Sequence, residues 1–155
     1  MSHPAQNDTS NPTGPRHADE PRLDVQHLVT RLQPGSDLKQ SLRTLVTQYQ
    51  LNAATVVTCV GSLTQAHLRL AGATATQVFS GPFEIVSLVG TLSPDGLHLH
   101  LSISDAEGRV WGGHLLDDNI VHTTAEIALA TYPNAVFSRP ADPNTGYGEL
   151  KIEKV

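Results

Sequence analysis

The chain has 155 residues, 39% of them hydrophobic and 16% charged, and carries a formal net charge of −5, which leaves room for one ordinary domain with a real core and too little for two. An acidic chain with only three lysines, Lys39, Lys151 and Lys154, shows none of the local basic patches on which duplex binding rests. No stretch approaches the ~20 apolar residues of a membrane span and the N-terminus lacks the apolar centre of a signal peptide, so a cytoplasmic protein with no membrane partner is expected.

Residues 1–20, rich in Pro, Asn and Ser and almost free of large apolar side chains, read as a disordered N-terminal tail. Residues 21–155 read as a single domain. A strand is predicted over 25–32, ended by Pro34-Gly35. Asp37 with Gln40 three residues on has the capping-box arrangement that opens a helix, and Leu38, Leu42, Leu45, Val46 and Tyr49 then recur at helical spacing. Beyond Asn52 the chain turns β-rich, with strands predicted over 53–60, 63–70, 74–79, 83–92, 97–104, 109–115, 120–131 and 148–153, separated by Gly, Pro, Asp or Asn. Ser93-Pro94-Asp95-Gly96 is a turn sequence that makes a hairpin of its flanking strands. The fold class is α+β, with several antiparallel strands and one main helix. The single cysteine, Cys59, lies in the apolar run TVVTCVG and reads as a buried core thiol in a reducing compartment.

The segment LHLHLSISDAEGRVWGGH, from Leu97 to His114, carries the candidate chemistry. On an extended strand His98 and His100 face one side while Leu97, Leu99, Leu101 and Ile103 face the other. If Gly108 takes the left-handed position of a three-residue hairpin loop, Asp105 stands opposite Arg109 and His114 falls directly across from His100. Three imidazoles on one polar face form a candidate zinc site, because neutral imidazole is a good ligand and three protein ligands leave a fourth position free. A two-residue or four-residue loop would instead turn His114 to the opposite face, and a bulge at Gly112-Gly113 would shift it again. The plainer alternative is three polar-face histidines hydrogen-bonded across an interface. On the strand over 120–131, Glu126 shares a face with His122, but His67 and His122 have no partner at ligand spacing. The chain has no nucleophile elbow, P-loop or dinucleotide fingerprint.

The run Gly81-Pro82-Phe83-Glu84-Ile85-Val86-Ser87-Leu88, taken with HLHLSISD, VWGGHLL, TTAEI, the CVGSL segment at 59–63, Leu68-Arg69, and the FSR and TGYGEL segments near the end, resembles the PPC domain shared by plants and prokaryotes. The likeness covers residues 22–152. It implies an antiparallel, strongly twisted sheet packed with one helix and assembled as a homotrimer. Plant members carry AT-hook segments that enter the minor groove; this chain has none and has Pro82 where plant members commonly carry Arg, so its build resembles a prokaryotic member. More distantly, the domain is similar in fold to acetolactate decarboxylase, which holds zinc with a His-x-His pair and a third histidine from a neighbouring strand. That likeness implies His98, His100 and His114 as the ligands. Glu84 and Glu126 are candidate catalytic acids or bases, or else structural carboxylates paired with Arg69 or Arg109. The family likeness favours a trimeric, non-catalytic binding or regulatory module associated with DNA, directly or through DNA-bound proteins. The alternative is a zinc-dependent enzyme or small-molecule sensor using the three histidines.

Overall fold

The computed structural model describes residues 22–72 and 74–155; the tail expected over residues 1–20 lies outside them. In chain order the elements are β1 (Gln26–Leu32), α1 (Leu38–Gln48), β2 (Ala54–Arg69), β3 (Thr76–Ser93), β4 (Gly96–Ser104), β5 (Val110–Leu115), β6 (Ile120–Thr131), β7 (Ala135–Ser138) and β8 (Lys151–Lys154). The α+β class with one helix is as expected from the sequence.

The helix starts where its cap predicts. The Asp37 side chain accepts from the Gln40 amide at 2.8 Å, satisfying a donor the first turn leaves unpaired, an arrangement worth about 1 kcal/mol. Leu38, Leu42, Leu45 and Val46 are buried against the sheet, whereas Tyr49, expected on the same stripe, is the C-cap residue and stands 52% exposed.

Six antiparallel strands follow the order β1-β6-β2-β3-β4-β5, and the sheet curls far enough for β5 to pair with the end of β2 as well. Leu63, Leu68, Leu99, Leu101, Ile103, Leu115, Ile127 and Leu129 fill the inner face. Each such leucine or isoleucine contributes roughly 1.5–3 kcal/mol of burial, and because side chains alternate, each also fixes which neighbours face outward. Among the described residues no helix is long and apolar enough to cross a membrane.

Several strand boundaries differ from the sequence expectation. The strands predicted over 53–60 and 63–70 are one continuous β2, and those over 74–79 and 83–92 are one continuous β3. Gly61-Ser62 and Gly81-Pro82 do not end the strands, because the β2–β3 ladder resumes on both sides of a register shift between Leu63 and Gln65. Such irregularities bend a strand without terminating it. The last predicted strand is realised slightly later, as β8, and its partner β7 was not anticipated; together they form a separate two-stranded sheet.

Candidate metal centre

The turn between β4 and β5 sets the register on which the site depends. Gly108 has φ +77°, its amide donates to the Asp105 carbonyl at 3.0 Å, and the Asp105 amide donates to the Arg109 carbonyl at 3.1 Å. The Asp105 carboxylate then accepts from the amides of Glu107 at 3.0 Å and Arg109 at 2.9 Å and from Arg109 Nε at 2.7 Å. Against the cost of desolvation, these bonds from Arg109 and Glu107 hold the Asp105 carboxyl below its ordinary range. Unbroken pairing runs from Ser104 opposite Val110 to His100 opposite His114.

Gly112 and Gly113 therefore make no bulge in this ladder. Their role is close backbone approach: a Cβ at Gly113 would stand 2.6 Å from the Arg69 carbonyl oxygen, so the missing side chain is what lets β5 lie against β2. That second pairing sets Arg69 opposite His114.

Leu99, Leu101 and Ile103 point into the core, which turns His98 and His100 to the outer face. The ring centroids lie 5.1 Å apart for His98 and His100, 5.4 Å for His98 and His114, and 5.6 Å for His100 and His114. One nitrogen from each ring falls within 4.8 Å of the others. Tetrahedral zinc with bonds of about 2.0–2.1 Å separates its nitrogens by roughly 3.3 Å, so small ring rotations would close the set. His114 Nδ1 is buried with no hydrogen-bond partner among the described residues. An unpaired buried polar atom costs about 1–3 kcal/mol, a cost that a cation at this point would offset.

Electrostatics keep the His98 and His114 rings in the state a metal needs. Burial pushes the His114 imidazole down to about 4, with the positive charges of Arg69 and Lys39 and the neighbouring His98 and His100 adding to the effect. Burial also lowers His98, helped by Arg139 and His100 and opposed by Glu149. For these two rings neutral imidazole, with a lone pair free to donate, is thus the resting form at neutral pH. The three-histidine cluster could hold a metal ion.

The other residues singled out in the sequence lie apart from it. Glu126 is on β6, paired in register with Arg31 and Val60, three strands away from β4 in the sheet order. Glu84 is exposed and shares the outer face, but it sits opposite Ser104 at the far end of the β3–β4 ladder from His98. Arg109 binds Asp105 and Glu107, not either of these glutamates. His67 is tied to the Asp117 carbonyl at 3.1 Å and the Thr76 hydroxyl at 3.0 Å. Cys59 is buried, and burial pushes its thiol up to about 12.

The structure adds residues that spacing did not single out. A cavity of about 370 Å³ beside the rings is lined by Arg69, His98, His114, Arg139, Tyr147 and Glu149, among others. Arg139, Tyr147 and Glu149 come from the FSR and TGYGEL segments. No local periodicity links these segments to a hairpin some thirty residues earlier in the chain; the only signal was their place in the family likeness.

The bifunctional protein GlmU of Synechococcus sp. (strain JA-3-3Ab) is 54% identical over 125 residues, a stretch that takes in 81% of this chain and 20% of that protein. The chain therefore spans about a fifth of the length of the curated relatives it matches. A hypothetical protein from Salmonella enterica is 40% identical, with a TM-score of 0.85 over 86% of this chain and 97% of that one. Two likenesses are of fold alone. A metal-containing protein from Archaeoglobus fulgidus aligns at 22% identity and TM-score 0.73 over 84% of this chain and 96% of its own. A Bacteroides thetaiotaomicron protein, described as proposed to bind DNA, aligns at 18% and 0.72 over 83% and 96%. Residues 22–133, which carry the curled sheet, its helix and all three histidines, match the Plants and Prokaryotes Conserved domain, the family that the sequence motifs resembled under the abbreviation PPC, and the chain belongs to it.

Proposed function

We propose that this chain is a metal-binding module of that family, one domain over residues 21–155, in which His98, His100 and His114 hold a zinc ion. The observation that carries the reading is the convergence of three imidazoles from paired strands, one with a buried nitrogen that no other group among the described residues satisfies. An all-nitrogen, three-ligand set with an open fourth position suits catalytic or sensing zinc better than a closed structural site. A zinc ion there supplies Lewis acidity, while the protein supplies orientation and a walled cavity. The metal-containing Archaeoglobus protein of the same fold supports the reading. Elemental analysis of protein purified without chelator should give close to one zinc per chain, and His100→Ala should lose it; wild-type protein that neither carries nor takes up a divalent metal would overturn the proposal.

A second reading, a non-catalytic regulatory module associated with DNA, is favoured by the description of the Bacteroides protein. In the Synechococcus relatives the matching stretch is a fifth of a longer bifunctional protein, which suits an accessory role. Here the net charge of −5 and the pairing of Arg43 with Asp117 and of Arg109 with Asp105 and Glu107 favour association through DNA-bound proteins over direct contact with phosphates. Direct binding predicts an affinity that falls steeply with salt, and no shift of duplex at low salt removes it.

The family likeness supports a homotrimer, and so do Val57, Val60, Val86 and Val89, which stand more than half exposed on the outer face of β2 and β3. Apolar side chains clustered in this way mark an interaction surface. A monomer mass in sedimentation would contradict the assembly. A reducing, cytoplasmic setting suits the single buried thiol.

A further inference from the structure

One cross-strand row runs through the site. Arg69 on β2 is opposite His114 on β5, and His114 is opposite His100 on β4. Residues opposite one another in a ladder share a face, with Cβ atoms about 4.5–5.5 Å apart, so the Arg69 side chain rises beside the imidazoles. No carboxylate pairs with it among the described residues. A second guanidinium arrives from the other side. The backbone amide of Arg139 donates to the Asp95 carboxylate, but among the described residues the Arg139 guanidinium donates only to neutral acceptors, the Gly148 carbonyl at 3.2 Å and the Thr91 hydroxyl at 2.7 Å, and Thr91 is the partner of His98 in the β3–β4 ladder. Both arginines line the cavity of about 370 Å³ beside the rings, in which Glu149 is the single carboxylate among the described lining residues.

These placements have an electrostatic consequence. A guanidinium fixed by a carbonyl and a hydroxyl keeps its full positive charge, with further donors left over for a ligand, and its planar fork matches the oxygens of a carboxylate or phosphate. Two guanidiniums against one carboxylate among the described lining residues leave the cavity positive before any metal is counted, in a protein whose overall charge is negative. The opposite case is visible in the same molecule, where the charge of Arg109 is matched by the carboxylates of Asp105 and Glu107. The cavity volume suits a metabolite and not a macromolecule.

We propose that this cavity binds a small oxyanion, the carboxylate or phosphate group of a metabolite-sized ligand, between the Arg69 and Arg139 guanidiniums beside the three histidines. The inference rests on the metal-centre reading for what stands on the histidine side, and on the two arginines alone for the recognition of charge. Glu149 and Tyr147 then complete a polar wall that fixes the rest of the ligand.

The test uses the full chain, zinc-loaded and chelator-treated, titrated calorimetrically with inorganic phosphate and, separately, with malonate. Saturable binding of either probe, weakened at least tenfold in Arg69→Gln and in Arg139→Gln, supports the proposal, and the better probe identifies the oxyanion. Because Arg139 also bonds to Gly148 and Thr91, a charge-keeping Arg139→Lys variant and circular dichroism separate lost recognition from lost folding. Binding should return in large part with lysine. Failure of both probes on folded, zinc-loaded wild type, or equal binding by the Arg69→Gln/Arg139→Gln double variant, overturns it. Zinc content measured on the same samples separates the two ideas: arginine-dependent anion binding by a chain that holds no zinc sinks the metal centre and keeps the oxyanion site, and full zinc content with no anion binding does the reverse.

Discussion

His100 stands directly opposite His114 in the β4–β5 ladder, with ring centroids 5.6 Å apart, and the relationship depends on the number of residues in one turn. Side chains in a strand alternate between faces, so a shift of a single residue exchanges every inward group for an outward one. Inserting one glycine between Ala106 and Glu107 should therefore turn His114 away from His98 and His100. The expected result is a protein with little zinc in elemental analysis, destabilised because Leu115 would leave the core. An insertion variant with wild-type zinc would show that the turn does not control the site.

His114 bears a cost in the metal-free protein, since its Nδ1 is buried without a partner among the described residues. Replacing it by leucine removes that polar atom and keeps apolar bulk. His114→Leu should be more stable than metal-free wild type by about 1 kcal/mol, and zinc should no longer raise its melting temperature. Thermal melts with and without zinc check both statements.

Gly113 offers a steric test. A methyl group would press on the Arg69 carbonyl and force β5 away from β2, so Gly113→Ala should destabilise the fold by about 1–3 kcal/mol. Metal affinity should fall with it, because the same strand carries His114. Gly108→Ala, where no atom lies within 4 Å but φ is +77°, should cost only about 1 kcal/mol of backbone strain and leave zinc content unchanged.

Cys59 predicts an alkaline limit. Its folded value, pushed up to about 12 by burial, lies above the ordinary 9.0, so above pH 9 the unfolded chain releases this proton more readily than the folded one. The stability it contributes is complete below pH 9 and is lost as pH rises towards 12. Cys59→Ala should show a shallower loss over that window in denaturant titrations. At pH 8 the thiol of the folded protein should react with a disulfide reagent far more slowly than that of the unfolded chain.

The helix and the histidine hairpin were legible in the sequence because both are governed by local rules: Asp37 and Gln40 mark a cap, and the turn before Gly108 counts residues from His100 to His114. Strand continuity was not legible. Gly61 and Gly81-Pro82 look like punctuation in one dimension, whereas the ladders on either side carry the strands through them. The cavity wall was hidden for a related reason. Arg69 reaches His114 only through the β2–β5 pairing, and Arg139 and Glu149 arrive from beyond β7; contacts of this kind follow from how the sheet curls, which no periodicity records. Glu84 and Glu126 were attractive as acids within recognisable motifs, yet the carboxylate beside the histidines belongs to Glu149.

The three imidazoles come from one short contiguous hairpin, while much of the facing wall comes from the stretch between Arg139 and Glu149. The rings and much of the wall thus lie on separate stretches of chain, so substitutions between Arg139 and Glu149 alter the wall without replacing a ring.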